Sequence, residues 1–108
     1  MSKKAEQDAG NKSNSAKEVE YILRLFVTGA SPNSIRAIKN LKELCETQLK
    51  GRYSLEIIDV YQQAALAEKE QIFALPLLVK KAPLPERRLI GDMSETNKVL
   101  KGLGLQAL

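Results

Sequence analysis

The sequence predicts an α/β domain with the element order β-α-β-α-β-β-α, and three features carry that expectation. Two runs rich in aliphatic and aromatic residues, Tyr21–Val27 and residues 53–60, read as strands. Between them lies a helix-start signal, Ser31-Pro32, followed by apolar residues at helical spacing. A proline-punctuated second half then ends in another amphipathic segment. A strand, a long helix and a strand form a βαβ unit, for which a right-handed crossover and a parallel pair are expected.

Taken in order, residues 1–18 are Lys, Glu, Asp, Asn, Ser and Gly with almost no large apolar side chain. That composition offsets little of the entropy lost on ordering, so a disordered tail is expected, with a helix formed on binding as the alternative. Residues 19–108 form the domain. Its first strand ends at Thr28-Gly29. Ser31 is a natural N-cap, and Pro32 falls at the first helical position, where its missing N–H costs nothing. Ile35, Ile38, Leu41, Cys45 and Leu49 make one apolar stripe, while Arg36, Lys39, Lys42, Glu43 and Glu46 cover the outer face. Gly51 ends the helix.

The second half has weaker punctuation. Residues 64–73 favour helix by composition, with Leu66, Ile72 and Phe73 near one face. Leu75-Pro76-Leu77-Leu78-Val79 reads as a strand opened by proline, and Lys80-Lys81 leads to a turn with Pro83 and Pro85. A short strand, Arg87-Arg88-Leu89-Ile90, follows. After Gly91-Asp92, Ser94 is available as a cap for a helix over residues 95–105, with Val99, Leu100 and Leu103 on one side. The stretch FALPLLV suits helix or strand equally, so a different arrangement of residues 61–90 is compatible with the same residues.

Composition removes several functions. The chain has 108 residues, 44% of them hydrophobic, enough for one domain with a modest core. It contains one cysteine and no histidine. A disulfide, a thiolate or histidine metal centre, a Ser-His-Asp triad and a Cys-His nucleophile therefore each lack a required group. There is no G-x-x-x-x-G-K-[ST] phosphate loop, no apolar stretch near the roughly 18 residues that span a bilayer, and no apolar signal-peptide core. A cytoplasmic protein without enzymatic activity, metal or cofactor is expected. The net charge of +4 and pI near 9.3 suit acidic partners but fall short of a nucleic-acid footprint.

The element order resembles the thioredoxin fold. Pro32 stands where thioredoxins place a proline between two redox cysteines, and Leu75-Pro76-Leu77 resembles the segment bearing their cis-proline. Both cysteines are missing, the nearby residues being Ala30, Ser31 and Asn33. More specifically, YILRLFVTGASPNSIRAIKNL, KGRYSLEIIDV, LPLLVKKAPLPERRLIGDMS and KVLKGLGL resemble the circadian clock protein KaiB family, over most of the chain from Tyr21 to about Leu103.

That resemblance implies a non-enzymatic regulator that binds the N-terminal ring of a KaiC-type hexameric ATPase in a clock, timer or stress pathway. Family members also capture KaiA and compete with a sensor histidine kinase whose input domain is thioredoxin-like. It further implies homo-oligomers, dimer or tetramer, and a second, tetramer-type βαββααβ arrangement of the C-terminal half. Glu56 and Gln71 stand where clock members usually carry lysine, Gly104 where they usually carry aspartate, and the acidic C-terminal tail is absent, which argues against KaiA capture. Rival readings are a relic oxidoreductase or glutathione-binding protein, opposed by the missing cysteines, and nucleic-acid binding through the basic surface.

The same resemblance marks candidate sites. Arg24, Arg36, Lys80, Arg87 and Arg88 match basic family positions and are expected to line a positive groove for an acidic partner, the plainer reading being a solvated basic face. Pro76, Pro83, Pro85, Gly102 and Gly104 are expected to govern which arrangement the C-terminal half adopts. Pro76 is expected to be cis if the thioredoxin likeness holds and trans otherwise. Cys45, on the apolar stripe, is expected to be an inert core thiol. Tyr21, Phe26, Tyr53, Tyr61 and Phe73 are expected to pack against core or sheet, and Asp59 and Asp92 to cap turns.

Overall fold

The computed structural model describes residues 20–106. The tail expected over residues 1–18 lies outside them. The observed elements are β1 (Tyr21–Val27), α1 (Pro32–Gln48), β2 (Tyr53–Asp59), α2 (Ala64–Lys69), β3 (Leu77–Ala82), β4 (Arg87–Ile90) and α3 (Thr96–Gly102), the βαβαββα order anticipated above. Within the described residues they build a four-stranded sheet in the spatial order β2-β1-β3-β4. β1 and β2 are parallel, with Tyr21 opposite Tyr53 and Val27 opposite Asp59. The β1–β3 and β3–β4 pairs are antiparallel.

Side chains alternate across each strand, so the sheet feeds two cores. Leu23, Leu25 and Val27 face one way and pack with Leu41 and Cys45 of α1 and Leu100 of α3. Phe26 faces the other way, with Ile58, Leu77 and Val79, under Leu66 and Ile72 of the α2 region. The start of α1 follows from its sequence. The Ser31 side chain accepts a hydrogen bond from the Ser34 N–H, and Pro32 opens the helix. At the other end the Leu49 N–H reaches the Cys45 carbonyl, and Gly51 takes a φ of 77°, a left-handed value that costs glycine little.

Four local expectations change. Helix α2 stops at Lys69 rather than continuing to Phe73, because Gln71 adopts a φ of 57°, outside the helical region. Phe73 is thereby removed from the helical face and is 90% exposed. β3 starts at Leu77 and includes Lys80 and Lys81: Lys80 continues the ladder between β1 and β4, and Lys81 falls where the β1–β3 register shifts. Ser94 is not the cap of α3: the Ncap position is Glu95, and the Ser94 N–H donates to Asp92 Oδ1 at 3.1 Å. Ile35, placed on the buried stripe by its spacing, lies at the helix start and is 55% exposed.

The residues assigned to fold choice occupy constrained positions. The bonds before Pro76, Pro83 and Pro85 are all cis. Gly102 closes α3 against Leu89, so close that an added Cβ would overlap that side chain, and Gly104 follows at a φ of 82°. The described residues adopt the βαβαββα arrangement, not the βαββααβ alternative. Leu41 is fully buried between the sheet and α3. Leu41→Ala is expected to cost about 3 kcal/mol, cavity included, as a shift of the urea midpoint with little change in slope.

Candidate functional site

At the C-terminal end of β1 three loops meet. The first, residues 28–31, is tied into α1 by hydroxyl groups: the Thr28 N–H donates to Ser34 Oγ at 3.0 Å, and Ser31 Oγ donates to Ser34 Oγ at 2.9 Å. Thr28 Oγ1 lies 3.1 Å from Ser31 Oγ. The second is the cis Leu75-Pro76 turn, and the third follows β4. These two are joined by the Gly91 N–H, which donates to the Pro76 carbonyl at 3.0 Å. Arg36 fastens the third loop to α1. Its Nε donates to Asp92 Oδ2 at 3.2 Å, it also bonds the Asn33 side chain, and Asn40 Nδ2 reaches the Asp92 carbonyl at 2.9 Å.

This end therefore has fixed geometry but no thiol. Cys45 lies in the core at 0% exposure, and burial, with the neighbouring Glu46 charge adding, pushes its pKa up to about 12. A thiol in that state is a poor nucleophile. Asp59 Oδ1 accepts from the Tyr61 N–H at 2.9 Å, and Asp92 accepts from the Ser94 N–H, so both carboxylates cap turns. Hydrogen bonds from Ser94, then Arg36, hold the Asp92 carboxyl below its ordinary range. Among the described residues no cluster of His, Cys, Asp or Glu could hold a metal, and no helix is long and apolar enough to cross a membrane.

Apolar side chains surround this end. Ile35 starts α1, Tyr61 follows β2, Phe73 precedes the cis-proline turn and Ile90 ends β4. All four are more than half exposed. Tyr21 and Phe26 are buried as expected, whereas Tyr61 and Phe73 are 78% and 90% exposed, a correction with a local cause: neither lies in a regular element, so no strand or helix turns it inward.

The five basic candidates do not share one groove. Arg24 on β1 and Arg88 on β4 point to the α2 face and converge on Glu70, at 3.3 Å and 3.8 Å, and Lys81 joins them at 3.0 Å. Lys80 and Arg87 are paired across β3 and β4 and fall on the opposite face by strand alternation. The Lys80 residue is 4% exposed, and burial, then the Arg87 charge, lowers its pKa. Arg36 lies apart, on α1. Glu70 and Lys81 were not singled out by sequence, and no local signal marks them, since Glu70 meets Arg24 across 46 positions.

A family model described as the KaiB domain matches residues 24–105, nearly all of the described chain. The chain belongs to the KaiB family. Its KaiB relatives include the circadian clock oscillator protein KaiB of Synechococcus elongatus, 52% identical over 85 residues that cover 79% of this chain and 83% of that protein. The KaiB of Prochlorococcus marinus subsp. pastoris is 53% identical, covering 79% of each. Among solved structures, the N-terminal domain of Synechococcus elongatus SasA is similar with a TM-score of 0.65 at 25% identity, covering 89% of this chain and 94% of that one. Mitochondrial thioredoxin 3 of Saccharomyces cerevisiae also reaches 0.65, at 15% identity over 80% of this chain and 78% of that one, a likeness of fold alone. This KaiB-family chain thus has the thioredoxin-like fold without the cysteine pair.

Two outcomes are expected in solution. The Cys45 thiol of the native chain should resist a thiol reagent such as DTNB at pH 8 and react fully once the chain is unfolded in guanidinium. Glu70 is held below the usual carboxylate range, the hydrogen bond from Lys81 outweighing burial and the charges of Lys81, Arg24 and Arg88 adding to it. Its contribution to stability should be fully present above the ordinary glutamate pKa and disappear as pH falls through the depressed one, which an NMR titration of the side-chain carboxyl would register.

Proposed function

We propose that this KaiB-family chain is a non-enzymatic regulatory protein that docks on the N-terminal ring of a KaiC-type hexameric ATPase, in a circadian clock, timer or stress-response pathway. The observation that carries the proposal is the end of the sheet described above: where thioredoxins hold two cysteines, this chain has a pinned hydroxyl-lined turn ringed by exposed Ile35, Tyr61, Phe73 and Ile90. Such a surface has a reason to be covered by a partner and no group with which to turn over a substrate. The clock-protein relatives and the fold shared with the SasA domain support the same reading.

Arg36, Arg87 and Arg88 are exposed, and since Arg88 is turned onto Glu70, Arg36 and Arg87 supply charge complementarity to an acidic rim on the ring. Arg24 and Arg88 act there only through the α2 face, and Lys80 is buried beside Arg87 on the opposite face. KaiA capture is the weaker part of the family pattern for this chain, because Glu56 on the outer strand β2 reverses the family's charge and already pairs with Arg24 at 3.4 Å. A sensor histidine kinase that carries the same fold is a competitor for the ring rather than a ligand. The free chain is a cytoplasmic protein of the βαβαββα arrangement, with a dimer or tetramer built on the βαββααβ arrangement as its alternative state.

Size-exclusion chromatography with a KaiC-type ring and ATP tests this reading. Co-elution is expected. Arg87→Glu disturbs no ion pair among the described residues and relieves the repulsion on Lys80, so it should weaken binding about tenfold, or ~1.4 kcal/mol, without lowering the melting temperature. Failure of the wild-type chain to bind the ring in either arrangement, or retention on DNA that vanishes steeply with salt in its place, overturns it.

A further inference from the structure

Helix α2 has no fully buried residue, yet its segment covers four that are: Phe26, Ile58, Leu77 and Val79. Leu66 and Ile72 supply the apolar part of that cover, and both are only partly buried. The rest of the attachment is polar and converges on one side chain. Glu70 Oε1 accepts from Lys81 Nζ at 3.0 Å and Oε2 from Arg24 Nη1 at 3.3 Å. Arg88 Nη2 lies 3.8 Å from Oε1, and the same guanidinium donates to the backbone carbonyls of Glu70 and Gln71. The three cations come from β3, β1 and β4, so this one residue ties the segment to three strands.

We propose that Glu70 is an ionic latch that closes the segment 64–72 over the Phe26–Ile58–Leu77–Val79 face, and that its loss lets the segment open as a unit while β1, β2 and α1 stay folded. The Glu70 side chain is 12% exposed, so its charge-assisted hydrogen bonds are shielded from water and salt more than surface pairs are. Among the described residues no other carboxylate replaces it. Glu56, the second partner of Arg24, is 54% exposed, and Glu86, the second partner of Lys81, is 43% exposed at 3.8 Å. Once Glu70 is neutral, Arg24, Lys81 and Arg88 face one another across the gap it filled. Gln71, at a φ of 57°, then loses the Arg88 contact that holds its carbonyl in place. The latch works in the free chain, whether or not a ring is bound.

Hydrogen exchange on the full chain near neutral pH reads the latch directly. The Ala67, Glu70 and Ile72 N–H groups are bonded to Gln63, Leu66 and Ala67 carbonyls and report on the segment. Glu70→Gln should accelerate their exchange about tenfold or more while amides of β1 and α1 change less than about twofold. Lys81→Met, which leaves Arg24 and Arg88 on the carboxylate, should give a smaller acceleration confined to the same amides. It keeps the comparison available should the first variant not fold. In the wild type, about 1 M NaCl, where screening acts within about 3 Å, should move the same amides in the same direction. Unchanged exchange at these three positions in both variants, or an equal acceleration throughout the chain, would show that no separate latch exists.

Discussion

Strand β1 is the constraint on which the molecule depends, because it is hydrogen-bonded along both edges and supplies buried residues to the cores on both faces. Its parallel pairing with β2 forces the α1 crossover, and its antiparallel pairing with β3 brings the second half back across the same sheet. Leu23 and Leu25 supply the α1–α3 core and Phe26 the α2 core, all at 0% exposure. Arg24, between them, carries a charge into the middle of this strand. The chain accommodates it by bringing Glu56 from one side and Glu70 from the other. A full charge at a central strand is costly unless paired, so the placement of α2 and the identity of residue 70 follow from that one arginine.

The first half of the fold was legible in the sequence because its signals are local. Ser31 caps, Pro32 opens and Gly51 closes within one helix, and the strands on either side are solidly apolar where they are buried. The second half depends on contacts the chain makes only after folding. Nothing near Lys69 in the sequence announces that Gln71 will turn left-handed, and the arrangement that holds it comes from Arg88, 17 positions on. Lys80 and Lys81 read as the end of a strand because adjacent lysines suit a turn. In the sheet they face opposite sides, one beneath the α3 end and one on Glu70. The basic candidates were found by type but not by grouping, since strand alternation, not sequence proximity, decides which arginines share a face.

The site was legible as an absence and not as a surface. One cysteine and no histidine leave no residues for a cysteine pair, a Ser-His-Asp triad or a Cys-His nucleophile, and Cys45 itself is buried. The exposed apolar ring was invisible, because Ile35 and Phe73 lie beside residues that do pack and Ile90 follows the half-buried Leu89 in β4. In this chain the end is held together by a capped helix start, a cis-proline turn and a loop clamped by Arg36 and Asp92.

The short outer strand β4 has a consequence for how chains behave when crowded together. It is four residues long, begins with two arginines and offers one free edge. Two such edges meeting parallel and in register would set guanidinium against guanidinium, and an antiparallel meeting offers only a very brief ladder, which disfavours growth of the sheet from molecule to molecule. Copies held at high local density are thereby kept from zipping into a continuous ribbon on that side.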